Sequence, residues 1–333
     1  MTLPLADLVQ AYQATVRAGE SRWYRPYLPP ADDRHQFIFF LKPEATRPGV
    51  HLEAVLELAL HHLERFQVEP GAVRLMAAEY LARHQVLDQH YGVINRISKQ
   101  GLAALTEGAL AKLQDCFGER LEHGAPVLGG HQFLERFPDF SPAALSVLND
   151  NLGTTKLGGG TYALSLKVLG QPHILLNPFH PYQLVPFTTP GNGIIVIEGR
   201  SATSWHDLRA RLTGATNPAK APPGSIRHAL LTEKHRLGLA EVDQGNNGVH
   251  LSAGPLEGMV ELRRFFGEPE KQAAVAFSDT AFGRRLAAAG LDAGHLSANP
   301  TLVYEGEGVS AFDLTEERDA DEAARRLVAA SPA

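Results

Sequence analysis

The stretch "HQFIFFLKPEA", residues 35 to 45, does most to limit the fold. It reads as a buried-type strand, rich in Phe and Ile and ended by Pro43. The following "GVHLEAVLELALHHLERF" (49 to 66) repeats Val50, Val55, Leu58, Leu63 and Phe66 at helical spacing. "AVRLMAAEYL" (72 to 81) reads as a second strand, and "ARHQVLDQHYGVI" (82 to 94) as helix. From residue 35 the order is therefore strand, helix, strand, helix. Residues 1 to 34 look peripheral, with a short amphipathic helix from Leu5 to Ala18 and a proline-rich linker, "YRPYLPPADD".

From about residue 101 the texture changes. "GLAALTEGALAKLQDCFGERL" is an amphipathic helix, and "FSPAALSVLNDNLG" is another that starts at Ser141-Pro142. "GGGTYALSLKVLGQPHILLNPF" alternates through Tyr162, Leu164, Leu166 and Val168, turns at Gly170-Gln171-Pro172 and resumes as "HILLN", the pattern of a hairpin. "GNGIIVIEG" (191 to 199) is again a buried strand, "SWHDLRARLTG" a short helix, and 214 to 226 a Gly/Pro-punctuated loop. In "GNNGVHLSAGPLEGMVELRRFF", Gly248 to Ser252 reads extended. Gly254-Pro255 then breaks the chain, and Pro255 suits the first position of a helix with Leu256, Met259, Val260 and Phe265 on its apolar stripe. Residues 271 to 333 carry little pattern and an acidic end.

With 333 residues and 44% hydrophobic, the chain is long enough for one large core or two smaller ones. A net charge of -6 argues against a nucleic-acid surface, which needs a basic stripe. The single cysteine, Cys116, excludes an internal disulfide and a cysteine-built zinc site. The N-terminus lacks the flank and core of a signal peptide, and no run approaches the roughly 18 apolar residues of a membrane span. The expectation is a soluble cytoplasmic protein.

No P-loop signature and no H-E-x-x-H occurs, so no protein-held metal is expected. "LGGGTY" (157 to 162) precedes a strand and not a helix, so it reads as a flexible turn and not as a phosphate cradle. Four pieces remain: "FLKPEATRPG" (40 to 49), His90-Tyr91, "GATNPAKAPPGSIR" (214 to 227) and "GNNGVHLSAGPLEGMVE" (245 to 261). Each alone has a structural reading: a solvated lysine, an ordinary turn, a core histidine. Together they combine lysine, arginine, threonine and asparagine, which suit a phosphate chain, with a histidine that suits a nucleophile. A neutral imidazole attacks phosphorus when a carboxylate on its other nitrogen fixes the tautomer.

These pieces resemble the nucleoside diphosphate kinase family. The family's loop has the form G-A-T-N-P-A-x-A-x-P-G-T-I-R, its catalytic stretch G-R-N-I-I-H-G-S-D-S followed by a helical glutamate, and its first strand ends K-P-D-G. Here these are 214 to 227, 245 to 254 with Glu261, and Lys42-Pro43-Glu44-Ala45. The matching segments, roughly 35 to 97 and 193 to 266, cover less than half the chain.

The resemblance implies an α+β fold with a ferredoxin-like βαββαβ core and a large inserted α+β subdomain. The implied organisation is an N-terminal extension (1 to 34), a first core part (35 to 100), the insertion (101 to 192), a second core part (193 to 270) and a C-terminal extension (271 to 333). It implies that His250 accepts phosphate in a two-step transfer, oriented by Glu261, which Ser252 supports. Lys42 is expected at the terminal phosphate with Tyr91 beside it, Thr216 and Arg227 on the phosphate chain, and Asn247 on the sugar or bridging region. The implied donor is ATP or another nucleoside triphosphate, with Mg²⁺ carried by the nucleotide.

The chain also departs from the family. The place of an expected helix arginine is Ala210, flanked by Arg209 and Arg211, of which Arg211 is the expected phosphate contact. No aromatic residue stands near Ser98 or Lys99, where the family stacks the base. A second insertion, "HALLTEKHRLGL", follows Arg227.

Both insertions fall where the family holds the base, so an acceptor read partly by the insertion is expected, either a nucleotide or another small molecule. Asn177, His180, Tyr182 and Lys156 are the candidate contacts, with Pro178 and Pro181 stiffening their segment and barring helix. Two alternatives stay open: an ordinary nucleoside diphosphate kinase of broad specificity, and a non-catalytic nucleotide-binding module. No nucleic-acid or membrane partner is expected, and a homo-oligomer is possible in the family pattern.

Overall fold

A computed structural model describes residues 4–332, so Met1 to Leu3 and Ala333 lie outside the described residues. The strands in chain order are β1 (Ser21–Arg25), β2 (His35–Leu41), β3 (Glu69–Ala77), β4 (Val127–Gly129), β5 (Thr155–Gly158), β6 (Thr161–Val168), β7 (Gln171–Leu176), β8 (Gly193–Ser201), β9 (Val249–Leu251), β10 (Thr301–Tyr304), β11 (Glu307–Ser310) and β12 (Ser331–Pro332). The chain divides into two compact units, one of residues up to His84 and from Thr189 onward, the other Gln85–Thr188. The second unit thus begins before residue 101, where the texture of the sequence changes. Among the described residues no helix is long and apolar enough to cross a membrane.

The first unit is built on a five-stranded sheet of order β1-β3-β8-β2-β9, every neighbouring pair antiparallel. Side chains alternate across a strand, so each strand serves two layers. Phe37, Phe39 and Leu41 of β2 join Val73, Leu75, Ile195, Ile197, Val249 and Leu251 in one core. Helices Leu5–Ala18 and Leu52–Arg65 cover it with Leu8, Tyr12, Val55, Leu56 and Leu63. The alternate residue Phe40 faces the other way, where its ring meets Phe265 of helix Pro255–Phe266 at 5.4 Å. The five apolar residues of β2, Phe37 to Leu41, are all buried, which is why that stretch is so informative. The strand expected at 72 to 81 is Glu69–Ala77 and passes straight into helix Ala78–Arg83.

The C-terminal residues, low in pattern as sequence, fold. Helices Ala281–Ala288, Ala293–Ser297, Ala311–Thr315 and Ala320–Ala329 bury Phe282, Leu286, Leu314, Ala323 and Leu327 against Leu256 and Met259 of helix Pro255–Phe266. A three-stranded sheet of order β11-β10-β12 accompanies them. These helices are short and alanine-rich, so no single one carries a periodic signal long enough to read.

The second unit holds a four-stranded sheet of order β4-β7-β6-β5, with β4 parallel to β7. The expected hairpin is present, but Val168 pairs with Gln171, so the turn is Leu169-Gly170 and Pro172 already lies in the strand. Leu169 and Gly170 have φ of 49° and 80°, the positive pair that a tight two-residue hairpin turn needs. Ser141 caps helix Pro142–Leu152 by accepting from Ala144 N at 3.1 Å, as the Ser-Pro start foretold. The expectation that Pro178 and Pro181 bar helix is corrected: His180–Thr188 is helical. Pro181 stands in its first turn, where the missing N–H has no intrahelical partner to lose.

Candidate active site

Strand β9 is at the edge of the main sheet and pairs only with β2 within it, Phe40 opposite His250. Its even residues bond inward: Lys42 N donates to Gly248 O at 2.9 Å, and Ser252 N to Ile38 O at 3.0 Å. The carbonyls of Val249 and Leu251 turn outward, and an arginine takes each. Arg227 Nη2 donates to Val249 O at 3.1 Å, and Arg209 Nη1 to Leu251 O at 2.9 Å. An edge that would otherwise leave unpaired carbonyls is thereby satisfied, and two cations are brought to either side of His250.

The approach to β9 is fixed by Gly248. Its φ of 76° is in the left-handed region, and a Cβ there would lie 2.5 Å from Leu230 Cδ1. The buried Glu44 accepts from Gly248 N at 2.9 Å, so this residue is held through both its N–H and its carbonyl. The sequence marks Glu44 as part of a motif without showing this role.

His250 Nε2 lies 2.9 Å from Glu261 Oε1, and Ser252 Oγ donates to the other carboxylate oxygen at 2.5 Å. Glu261 and Ser252 are fully buried, and Ser252 Oγ also accepts from Ile38 N at 2.9 Å. The imidazole stacks on Phe40, centroids 4.6 Å apart and planes 22° from parallel. Ring, carboxylate and hydroxyl therefore form one braced chain running from β9 through helix Pro255–Phe266 to β2. A carboxylate partner only accepts, so the proton of the ring belongs on Nε2 and the lone pair on Nδ1.

Asn247 ties the surroundings together. It is buried, accepts from Lys42 Nζ at 2.8 Å, and donates to Thr216 O at 3.2 Å and Gln244 O at 3.1 Å. Lys42, Thr216, Arg227, Asn247, Ser252, His250 and Glu261 all belong to the first unit. Thr216 is exposed on its loop, whereas Arg227 is buried and also donates to Gly214 O at 2.8 Å. Of the two arginines flanking Ala210, Arg211 is exposed and pairs with Asp207 at 3.4 Å, while Arg209 reaches the His250 strand. The segment Leu208–Thr213 is a π-helical turn, whose changed pitch a count along a regular helix does not anticipate.

Burial pulls Lys42 below the ordinary lysine pKa, with Glu44 opposing and Arg227 adding to the effect. Arg227 is brought down to about 10 by burial and then by Arg209, against Glu44. Glu257, one helical turn before Glu261, is pushed up to about 8 by burial and by the charge of Glu261. The site is thus a partly desolvated place where fixed cations and carboxylates compete closely, and where each charge is felt more than in water.

The insertion candidates divide differently from expectation. Asn177 is fully buried; its Oδ1 accepts from Tyr162 N at 2.9 Å, and its Nδ2 donates to Gly160 O at 2.9 Å and Ile94 O at 3.2 Å. It is a clamp on the turn of β5 and β6, with nothing to offer an acceptor. His180 is also fully buried, between Gln183 at 2.9 Å and Asn95 at 3.3 Å. Tyr182 and Lys156 are exposed. Tyr91 belongs to the second unit, edge-on to His180 at 5.6 Å.

No family model matches the chain. Among curated proteins, the nucleoside diphosphate kinase of Archaeoglobus fulgidus is 36% identical over 88 residues, 26% of this chain and 50% of that protein. That of Methanococcoides burtonii is 38% identical over 88 residues, again 26% and 50%. That of Symbiobacterium thermophilum is 37% identical over 94 residues, 28% and 53%. Over these residues the chain is similar to nucleoside diphosphate kinases. It spans about half the length of the curated nucleoside diphosphate kinases it matches. A nucleoside diphosphate kinase-like segment confined to part of the chain fits a large insertion.

Proposed function

We propose that the protein is a phosphotransferase that moves the terminal phosphate of a nucleoside triphosphate, through His250, to a nucleotide or other small-molecule acceptor. The observation that carries this is the braced chain Ser252–Glu261–His250, which fixes the proton on Nε2 and leaves Nδ1 as the nucleophilic atom. The sheet order and the strand–helix order from β2 to β9 support a ferredoxin-like βαββαβ core carrying this site. They also support reading residues 101 to 192 as an insertion between its halves.

In the first step Nδ1 attacks the γ-phosphorus of ATP. A P–N bond forms, the P–O bond to the β-phosphate breaks, and ADP leaves with the electron pair. The proton stays on Nε2, donated to Glu261, whose charge offsets the positive charge gained by the ring. In the second step an acceptor oxygen attacks the phosphorus, the P–N bond breaks, and the acceptor's proton is released. Lys42, Arg227 and Arg209 are the cations near the reacting phosphates, and Thr216 and Asn247 offer neutral polar contacts. Mg²⁺ carried by the nucleotide would lower its phosphate charge; Glu261 is already committed to His250 and Ser252. Catalysis here is positioning and charge neutralisation. The acceptor is proposed to be read partly by the insertion, with Tyr182 and Lys156 the candidates still open to solvent.

The test is transfer from ATP to a panel of nucleoside diphosphates and phosphorylated metabolites. Turnover with an acceptor, lost in His250→Ala, supports the proposal. Broad use of nucleoside diphosphates, unchanged in Lys156→Ala and Tyr182→Ala, argues instead for an ordinary nucleoside diphosphate kinase. A folded protein that binds ATP and transfers to nothing in the panel argues for a binding module.

A further inference from the structure

The C-terminal segment reaches the site at Arg209. Glu317 N donates to Ala253 O at 2.9 Å, one residue beyond Ser252. A Cβ on Gly254 would lie 2.5 Å from Thr315 O, so the two segments approach this closely because that residue is glycine. Glu317 itself has a φ of 55°, a left-handed conformation uncommon outside glycine. The backbone is thus held in a costly shape that delivers Glu316 and Glu317 to one cation.

Their contact with that cation is close but incomplete. Arg209 Nη2 lies 3.8 Å from Glu316 and Nε lies 3.9 Å from Glu317, both outside hydrogen-bond reach. Among the described residues, Arg209 Nε is buried without a hydrogen-bond partner. Nη1 is spent on Leu251 O, next to His250. Glu261 adds a further carboxylate on the neighbouring helix, with Arg264 as a second cation, while burial and Glu261 raise the pKa of Glu257 beside it. Carboxylates that surround an arginine without bonding to it leave its donors unfilled. They also make the local potential unfavourable for a phosphate chain.

We propose that Glu316 and Glu317 form an internal brake on nucleotide binding: they compete with phosphate for Arg209 and weaken the affinity of the site. This rests on the reading of the His250 site as one that takes a nucleoside triphosphate. The brake is lifted when phosphate displaces the carboxylates, or when the segment around Thr315 is drawn from Gly254.

The experiment is equilibrium binding of Mg·ATP by calorimetry, which needs no turnover, on the full chain. The variants are Glu316→Gln, Glu317→Gln, the double variant, and Glu307→Gln as an exposed charge control on β11. Tighter binding by roughly threefold to tenfold in the double variant is expected, because each partly exposed carboxylate contributes about a fewfold effect. Glu307→Gln should match wild type. Glu316→Gln alone carries the test if the double variant fails to fold, because Glu317 also lies 3.5 Å from His206. Unchanged or weaker binding in folded variants overturns the brake and makes the pair an orienting support for Arg209. Failure of every folded protein to bind Mg·ATP removes the nucleotide reading, and the brake with it.

Discussion

Glu261 has no solvent contact and holds both His250 and Ser252, so its removal affects both fold and chemistry. Alanine at this position leaves Ser252 Oγ and His250 Nε2 short of a partner inside the protein. Each buried unsatisfied group costs about 1–3 kcal/mol, so Glu261→Ala is expected to lose about 2–4 kcal/mol in denaturant unfolding. Loss of less than about 0.5 kcal/mol would mean that the carboxylate is not the brace. Glu257 gives a pH signature of its own. Its folded pKa is raised from 4.5 to about 8, so between those values the folded state holds a proton that the unfolded state has released. Its contribution to stability is therefore complete below pH 4.5 and lost as pH rises through about 8. Glu257→Gln should flatten that decline in melting temperature, and a variant with the wild-type slope would exclude Glu257 as its source. At this scale the motifs of the sequence pick out His250, Glu261, Ser252, Lys42 and Asn247, and the structure joins them by hydrogen bonds in two groups, His250–Glu261–Ser252 and Lys42–Asn247. Glu44 and Arg209 stand in stretches the sequence singles out, but their bonds to Gly248 N and Leu251 O lie far along the chain, and no local pattern announces Glu316.

The elements were most legible where burial forces a period. β2 and helix Leu5–Ala18 follow their apolar patterns closely, and helix Leu52–Arg65 does so within a few residues at its start. Where a single helix is expected over 82 to 94, the chain forms three, Ala78–Arg83, Val86–His90 and Gly92–Gln100, the first two separated where Gln85 takes a φ of 51°. Helix His180–Thr188 was hidden by reading prolines as breakers without regard to their position in the first turn. The same segment misled about Asn177, whose amide is spent on the β5–β6 turn and on Ile94 O. Asn177→Ala removes three bonds from a fully buried group. It is expected to destabilise the second unit by about 2–4 kcal/mol, measured by denaturant unfolding. A variant of wild-type stability that has lost onward transfer would restore Asn177 as an acceptor contact.

At the scale of the whole molecule, buried histidines build acid sensitivity into both units; in the first, burial lowers His35 and His62. In the second, burial brings His131 down from 6.5 to about 4, with His180 and Lys99 adding to the shift and Asp88 opposing it. His180 is lowered as well, mainly by burial. In that window the unfolded chain binds protons that the folded unit refuses, so stability is lost as pH falls from about 6.5 toward about 4. Hydrogen exchange should therefore show protection within Gln85–Thr188 falling across that window, and His131→Gln should reduce the effect. Protection independent of pH there would contradict it. The two-unit division was partly legible as a change of texture near residue 101, but the folded C-terminal helices were not.

The central claim concerns one nitrogen atom. Incubation with γ-labelled ATP, followed by acid and base treatment and mapping of the label, tests it directly. The account predicts an acid-labile, base-stable label on His250, absent from His250→Ala. Equal labelling of the two proteins, or a label that survives acid or maps to another residue, would contradict it.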